Sequence, residues 1–343
     1  MRRRVFYLRV FQCRNPLINF YFRHQMKPEL KKAYLQLHIA VFIFGFTAIL
    51  GKLISADHFT LVWHRMWLAA AGFFLIPGFI KALRSTPPMQ LLKLAGIGVL
   101  VAIHWLTFYG SIKIGNSASL TLGCFGLTST FTSVLEPLIY RKRFVVMDVL
   151  LGLLALLGIC IIAWYTPEET EGSAHYGLAI AVGVFSTFMA ALFSTINSTL
   201  ANRIDTKVMS FTELLGGFLF LCLILAFSFN IEEVLPVSSF SLLPLTDTPM
   251  LIDTPYADML WIALLALVCT NVAFVMNLNA MKRVSAFTAN LAINLEPVYG
   301  IILAALILKE HQYLTPQFYI GAGIILLSVV IHSIIKSRGK INQ

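Results

Sequence analysis

Ten long apolar segments constrain this chain more than any other feature of its sequence. Each has 20 to 26 residues, and about 20 apolar residues suffice to cross the hydrocarbon core of a bilayer. A backbone in lipid must satisfy its own hydrogen bonds, and these segments are too long for ordinary strands. The sequence therefore predicts an all-α integral membrane protein with ten transmembrane helices. The segments are 34–54, 59–80, 91–112, 117–140, 145–164, 175–200, 208–229, 258–281, 285–308 and 316–335.

The composition leads to the same prediction. The 343 residues are 58% hydrophobic and only 12% charged, whereas a soluble globular domain is typically about 45–50% apolar and about 25% charged. The chain has too few polar side chains to cover a soluble globule of this size. Composition thus excludes a soluble protein and favours one whose solvent is largely lipid.

The net charge of +10 is concentrated near the N-terminus. The first 32 residues hold nine of the 26 basic residues and a single acid, Glu29. A basic segment just before a first membrane span is explained most simply as a cytoplasmic anchor that faces anionic lipid. Membrane lipid is therefore an expected partner and nucleic acid is not. Met26, shortly before the first apolar segment, is an alternative start of the chain.

Basic residues also alternate between the loops that join the apolar segments. If the N-terminus is cytoplasmic, the four inside loops hold ten Lys and Arg residues, whereas the outside segments hold only Lys52, Lys113 and Lys309. This positive-inside pattern predicts that both termini are cytoplasmic, in a multi-pass protein of the plasma (inner) membrane. The four inside loops are 81–93, 141–144, 201–207 and 282–284.

The second half of the chain repeats the first weakly. Ser117-Ala118 and Ser285-Ala286 are 168 residues apart, and Gly152 and Gly321, in the spans that follow, are 169 apart. Because each half has five spans, the second half enters the membrane from the opposite side, which is the inverted repeat typical of secondary transporters. The predicted division is a basic cytoplasmic tail (1–33), a first five-helix repeat (34–165), an external linker (166–174), a second five-helix repeat (175–335) and a cytoplasmic tail (336–343).

Several short motifs resemble a known family in their order and spacing. They are the Ser-Ala step into spans four and nine, Leu-Glu-Pro-Val at 295–298, Leu-Lys-Glu at 308–310 and the Gly-Ala-Gly segment that begins at Gly321. Together with the ten-span plan they resemble EamA-like members of the drug/metabolite transporter (DMT) superfamily over residues 34–335, most strongly over 258–335. The first repeat departs from the pattern, because it has Thr128 where the second has Pro297.

The resemblance implies a secondary transporter that exports small metabolites such as amino acids or their derivatives by alternating access. It also implies that spans four and nine line the central pathway. The sequence contains no phosphate-binding loop for ATP, so transport would depend on a gradient, and no enzymatic activity or cofactor is expected. The alternative is a membrane-embedded enzyme for a lipid-like substrate, which would need convergent acid, base or metal groups. A small-molecule solute is the expected partner, and the sequence leaves a homodimer open.

Glu296 is the leading candidate for substrate binding or coupling. It lies midway along span nine, where an ionisable side chain is costly and marks a functional site by default. Pro297 follows and lacks a backbone N–H, so a hinge is expected there. The structural alternative is a carboxylate that only bonds neighbouring helices.

The other candidates are polar residues inside the predicted spans, each with a structural alternative. Thr128 and Thr132 could contact a solute or bond their own helix carbonyls. His104 could couple protons or be a satisfied core histidine. Arg65 could pair with a carboxylate or extend to the interface. The remaining candidates are Asn271, Asn290 and Asn294. No metal site is predicted.

Overall fold

The described part of the chain is entirely helical. The computed structural model describes residues 28–141, 144–164, 175–200, 203–231, 254–281, 283–284, 292–293, 295–312 and 314–339, and these ranges contain no strand. Six helices are long and apolar enough to cross a membrane, and the bent pair His58–Leu75 and Phe79–Ser85 would make a seventh. Shorter apolar helices cover Leu150–Ile162, Glu296–Ile307 and Pro316–Ser328. An all-helical, multi-pass membrane protein is confirmed, and ten crossings stays a prediction.

The described helices are numbered here in chain order. In the first half they are α1 (Pro28–Leu53), α2 (His58–Gly72), α3 (Phe79–Ser85), α4 (Pro88–Gly115), α5 (Ala118–Phe125), α6 (Thr128–Tyr140) and α7 (Val146–Trp164). In the second half they are α8 (Tyr176–Leu200), α9 (Thr206–Ile231), α10 (Tyr256–Leu264), α11 (Ala273–Met281), α12 (Glu296–Leu303) and α13 (Pro316–Gly339).

Two turns define one end of the helix bundle. The α1–α2 turn ends in Asp57, whose carboxylate accepts hydrogen bonds from the amides of Phe59 and Thr60 and so caps α2. The α4–α5 turn places Asn116 in the left-handed region at φ 46°, and the Ser117 hydroxyl then caps α5. We call this the Asn116 end. The opposite end, where α6 stops at Arg141, is the Arg141 end.

The predicted spans four, eight and nine are not uniform α-helices. Gly126 and Leu127 separate α5 from α6, although 118–140 still qualifies as one crossing. A π-helical stretch, Leu265–Val272, joins α10 to α11, and a second one, Ala304–Leu308, continues α12. Wider turns of this kind are rare and occur often at functional sites.

The packing links each half of the chain to the other. Helix α1 packs on α11 and α12, while α8 packs on α4, α5 and α6, so the first helix of each half lies against the third and fourth spans of the opposite half. Helix α9 packs on α4 and α2, and α7 on α13. At the α4–α9 crossing, a Cβ on Gly98 would lie 2.0 Å from the carbonyl oxygen of Glu213. Small residues at such crossings let membrane helices approach closely.

Candidate functional site

Arg65 is the charged side chain around which the candidate site is built. It lies on α2 and is only 3% exposed. Its Nε donates to the Thr270 hydroxyl at 3.0 Å, and its Nη1 donates to the Tyr109 hydroxyl at 2.6 Å. The guanidinium carbon lies 3.6 Å from the centre of the Trp105 ring, in cation–π contact. Two segments, α4 and the π-helical stretch Leu265–Val272, therefore fix the guanidinium, while Nη2 has no hydrogen-bond partner among the described residues.

Glu296 is the second charged group of the site. It begins α12, is 7% exposed and lies within electrostatic range of Arg65. Within the described ranges its carboxylate accepts no hydrogen bond and forms no ion pair. Burying an unpaired carboxylate costs several kcal/mol, because the charge loses its hydration. Arg65 and Glu296 are thus oppositely charged groups that form no ion pair with each other within the described residues, which makes them the leading candidates for a ligand site.

Glycines on α1 allow the walls of this site to approach one another. A Cβ on Gly51 would lie 2.4 Å from the Tyr109 ring, and a Cβ on Gly45 would lie 3.1 Å from the backbone nitrogen of Gly300. Helix α1 can therefore contact both α4, which carries the aromatic partners of Arg65, and α12, which carries the acid.

Asn271 lies beside the Arg65 partner Thr270, on the same π-helical stretch. Its Nδ2 donates to the Ala69 carbonyl at 2.9 Å, which ties this stretch to α2. Its Oδ1 is buried and has no hydrogen-bond partner within the described part of the chain. Asn271 thus holds α2 against the π-helical stretch and keeps one acceptor free.

His104 is enclosed by aromatic rings, and Arg65 lies within electrostatic range of it. Its Nδ1 lies 2.9 Å from the Ser186 hydroxyl and 3.0 Å from the Ser186 carbonyl. The rings of Phe125, Phe193 and Phe108 surround it at centroid distances of 5.6–5.8 Å. These contacts join α4 to α8 and favour a structural histidine over a proton-coupling one.

Thr128 and Thr132 bond to their own helix. Thr128 donates to the Phe125 carbonyl at 2.6 Å, and Thr132 donates to the Thr128 carbonyl at 2.8 Å. Such bonds satisfy a hydroxyl without any solute. These bonds support the structural alternative for the two threonines, whose contact with a solute stays untested.

Span nine is described only in part. Asn290 and Asn294 lie outside the described residues. Pro297 occupies the first turn of α12, where its missing N–H costs no helical hydrogen bond. Helix α12 thus begins at Glu296. Whether Pro297 acts as a hinge stays a prediction.

Three residues of this cluster, Trp105, Tyr109 and Thr270, are not among the sequence candidates. Trp105 and Tyr109 are four residues apart, so they share one face of α4. That spacing indicates a common partner, but it cannot identify the partner as Arg65. Thr270 bonds back to the Leu265 carbonyl across a π turn, at a separation of five residues that no sequence pattern indicated.

Three further carboxyl groups are buried outside the Arg65 cluster. Glu310 and Asp258 each accept three hydrogen bonds near the Asn116 end. Glu213 accepts one, from Asn197 Nδ2 at 3.1 Å. These groups do not converge, and within the described residues no group of three or more His, Cys, Asp or Glu could hold a metal ion.

Comparisons with known proteins support the architecture. The model of the EamA-like transporter family matches residues 31–164 and again 177–334. One crystal structure of a protein, 13% identical in sequence, superposes with a TM-score of 0.55 over 90% of this chain and 98% of that chain. At that identity the likeness shows the fold alone. No curated protein matches the sequence.

The double match spans most of the chain and agrees with the resemblance seen in the short motifs. Members of this family are typically membrane transporters. The long apolar helices also indicate a membrane protein. The chain belongs to the EamA-like transporter family, within the drug/metabolite transporter superfamily.

Proposed function

We propose that the protein is a secondary exporter, independent of ATP, that moves a small zwitterionic metabolite such as an amino acid or a derivative. It does so by alternating access, with ten helices arranged as two inverted repeats, both termini cytoplasmic, in the plasma membrane. The topology rests on the distribution of Lys and Arg between loops, and the export direction rests on the family.

One observation carries the substrate class: Arg65 and Glu296 are buried, opposite in charge and incompletely paired. A solute carboxylate would accept hydrogen bonds from Arg65 Nη2, and a solute ammonium would donate to the Glu296 carboxylate. Charged hydrogen bonds of this kind are about twice as strong as neutral ones. A zwitterion would satisfy both groups at once, whereas a simple anion or cation would leave one of them unpaired.

The same pair supports a transport cycle in which solute binding stabilises an otherwise costly site. Glu296 lies at the N-terminus of α12, directly after a turn at Leu295. Helix ends of this kind contribute to the midplane sites between repeats in other secondary transporters. Arg65 is fixed by α4 and by the π-helical stretch of span eight, so the site draws on both halves of the chain. Movement of one half against the other would then open it to alternate sides.

Metabolite export by intact cells tests the proposal. The wild type, Glu296→Gln and Glu213→Gln are expressed at matched membrane levels in a bacterial host, and the medium is profiled. We expect zwitterionic metabolites to accumulate with the wild type and with Glu213→Gln, but not with Glu296→Gln. Glu213 is the matched control because it is an equally buried glutamate outside the Arg65 cluster. Equal accumulation with all three proteins would remove Glu296 from the site, and no accumulation with any would contradict export.

A further inference from the structure

At the Asn116 end of the bundle, buried carboxylates form hydrogen bonds between the two halves of the chain. We propose that Glu310 and Asp258 hold this end shut in the substrate-free protein, and that the first repeat has no carboxylate at the position equivalent to Glu310. The resting transporter is then biased toward closure at the Asn116 end. Under the proposed topology this is the outside, so an exporter would wait with its site accessible to the cytoplasm. The closure itself does not depend on which solute is carried.

Glu310 provides the first closing contact. It is 4% exposed and accepts hydrogen bonds from the amide of Ala118 at 2.8 Å, the amide of Ser119 at 2.9 Å and the hydroxyl of Ser117 at 3.0 Å. The first amides of a helix have no partner within the helix, so a carboxylate there both bonds them and complements the helix dipole. A residue of the second half of the chain therefore caps a helix of the first half.

Asp258 provides the second closing contact, again between the two halves. It lies on α10 and is 5% exposed. Its Oδ1 accepts from the Ser55 amide at 3.1 Å, and its Oδ2 accepts from the Ser55 hydroxyl at 2.6 Å and the Ala56 amide at 2.9 Å. Together with Glu310 it joins the halves of the chain through six hydrogen bonds at one end.

Two lysines complete what we call the Asn116-end network: Glu310, Asp258, Lys52 and Lys113 with their bonded partners. Lys52 donates to the backbone carbonyl and side-chain oxygen of Asn116, and Lys113 donates to the Ile54 carbonyl. Lys52 is within electrostatic range of Glu310, and Lys113 of Asp258. These are two of only three bases in the predicted outside segments, so their presence against the positive-inside trend has a structural reason.

Close packing lies directly beneath the network. A Cβ on Gly300 would lie 2.5 Å from a methyl carbon of Leu122, so α12 and α5 approach closely there. Leu122 is fully buried. Further toward the Arg141 end, α6 packs on α8 and α7. The fourth span of each half thus meets the other on the Asn116 side of Glu296.

The repeat identifies the residue that corresponds to Glu310 in the first half. Arg141 and Lys309 both end their helices in the left-handed region, at φ 52° and 55°, and they are 168 residues apart. That is the separation of the two Ser-Ala steps. The residue after Lys309 is Glu310, and the residue after Arg141 is Lys142. An ammonium cannot accept hydrogen bonds from backbone amides, so Lys142 cannot repeat the cap that Glu310 makes.

Cysteine labelling measures the closure without any transport assay. Leu122→Cys is introduced into a chain whose native cysteines are replaced by serine, and its reaction with a maleimide is timed in purified protein. We expect slow labelling in this background, and labelling at least about tenfold faster when Glu310→Ala and Asp258→Ala are added, because six hydrogen bonds are lost. Glu29→Ala is the matched control, because it removes an exposed ion pair with Arg283 at the other end, and should leave the rate unchanged.

Lys142→Glu tests the asymmetry without disturbing the Asn116 end. A carboxylate at this position would favour closure at the Arg141 end, so labelling of Leu122→Cys should again accelerate. This variant decides the matter if the double alanine variant does not fold. Unchanged labelling in every folded variant would overturn the inference, whether or not export by the wild type is observed. Conversely, faster labelling together with absent export would leave the closure intact and contradict only the proposed function.

Discussion

Glu296 and Glu310 are two buried glutamates, one at the start of α12 and one just beyond the end of span nine, and their surroundings are opposite. Their exposures are similar, 7% and 4%. Glu310 accepts three hydrogen bonds from the start of α5, whereas Glu296 accepts none within the described residues. A buried charge that is fully bonded stabilises structure, and one that is left unpaired is retained at a cost. This difference is what the proposed closure at the Asn116 end and the proposed ligand site at the Arg65 cluster would each require.

The largest expected effect comes from removing Arg65. Arg65→Ala should lower transport at least about a hundredfold, because the solute carboxylate loses its partner and Glu296 is left as a lone buried charge. Arg65→Lys should not restore transport, since an ammonium cannot reproduce the planar contacts to Trp105, Tyr109 and Thr270. Initial transport rates at matched protein levels measure this. Full activity of the lysine variant would show that charge alone suffices and that the fixed guanidinium is unimportant.

The changes in stability caused by Glu310→Ala and by Glu296→Gln should differ in sign. Glu310→Ala should destabilise the protein by about 2–3 kcal/mol, because two amides of α5 lose a charged acceptor. Glu296→Gln should leave stability unchanged or raise it, because it removes an unpaired buried charge. Melting temperatures in detergent compare the two. A large loss of stability in Glu296→Gln would mean that Glu296 is a structural carboxylate. The contrast between Glu296 and Glu310 would then not hold.

A smaller effect should follow from moving Tyr109. Gly51→Ala places a methyl group about where the Tyr109 ring lies, and overpacking of this kind costs roughly 1–3 kcal/mol. Because Tyr109 orients Arg65, we expect transport to fall roughly tenfold. Gly96→Ala is the control, since a Cβ there meets nothing within 4 Å. Equal transport by both variants would show that the position of Tyr109 does not matter to the site.

The smallest effect is expected at Glu213. Its Oε1 and the Oδ1 of Asn197 are both buried acceptors without partners. Glu213→Gln keeps an acceptor for Asn197 Nδ2 and adds an N–H that can reach an acceptor, so stability should change by less than about 1 kcal/mol. Unfolding in detergent checks this value. A severe loss would indicate that the carboxyl group has a partner that an amide cannot replace.

Much of the fold follows from the sequence because lipid imposes a simple rule. Apolar length and backbone self-sufficiency predict helices, and the two Ser-Ala steps predict the repeat that Arg141 and Lys309 mark in the backbone. The interruption at Gly126 and Leu127 and the π-helical stretches were not predicted, because they depend on packing between distant helices. The apolar periodicity of the sequence is nearly the same before and after these interruptions, so it does not reveal them.

The candidate site was predictable at Glu296 and Arg65, since an ionisable residue in an apolar segment is conspicuous. That the two lie within electrostatic range of each other was not predictable, because Arg65 near a helix end could equally extend to the interface. Nor were Trp105 and Thr270, which look like ordinary residues of apolar helices until the fold brings them to the guanidinium. Thr128 and Thr132 show the converse, because their polar stripe is satisfied within its own helix.

The most direct test is counterflow in proteoliposomes. Vesicles loaded with a mixture of unlabelled amino acids are diluted into each labelled amino acid in turn, and then into its methyl ester and its N-acetyl derivative. The wild type should accumulate at least one labelled zwitterion and discriminate against both derivatives, and Glu296→Gln should accumulate none. Equal accumulation of the zwitterion by Glu296→Gln, or equal transport of both derivatives, would contradict the assignment of Arg65 and Glu296 as the two halves of a zwitterion site.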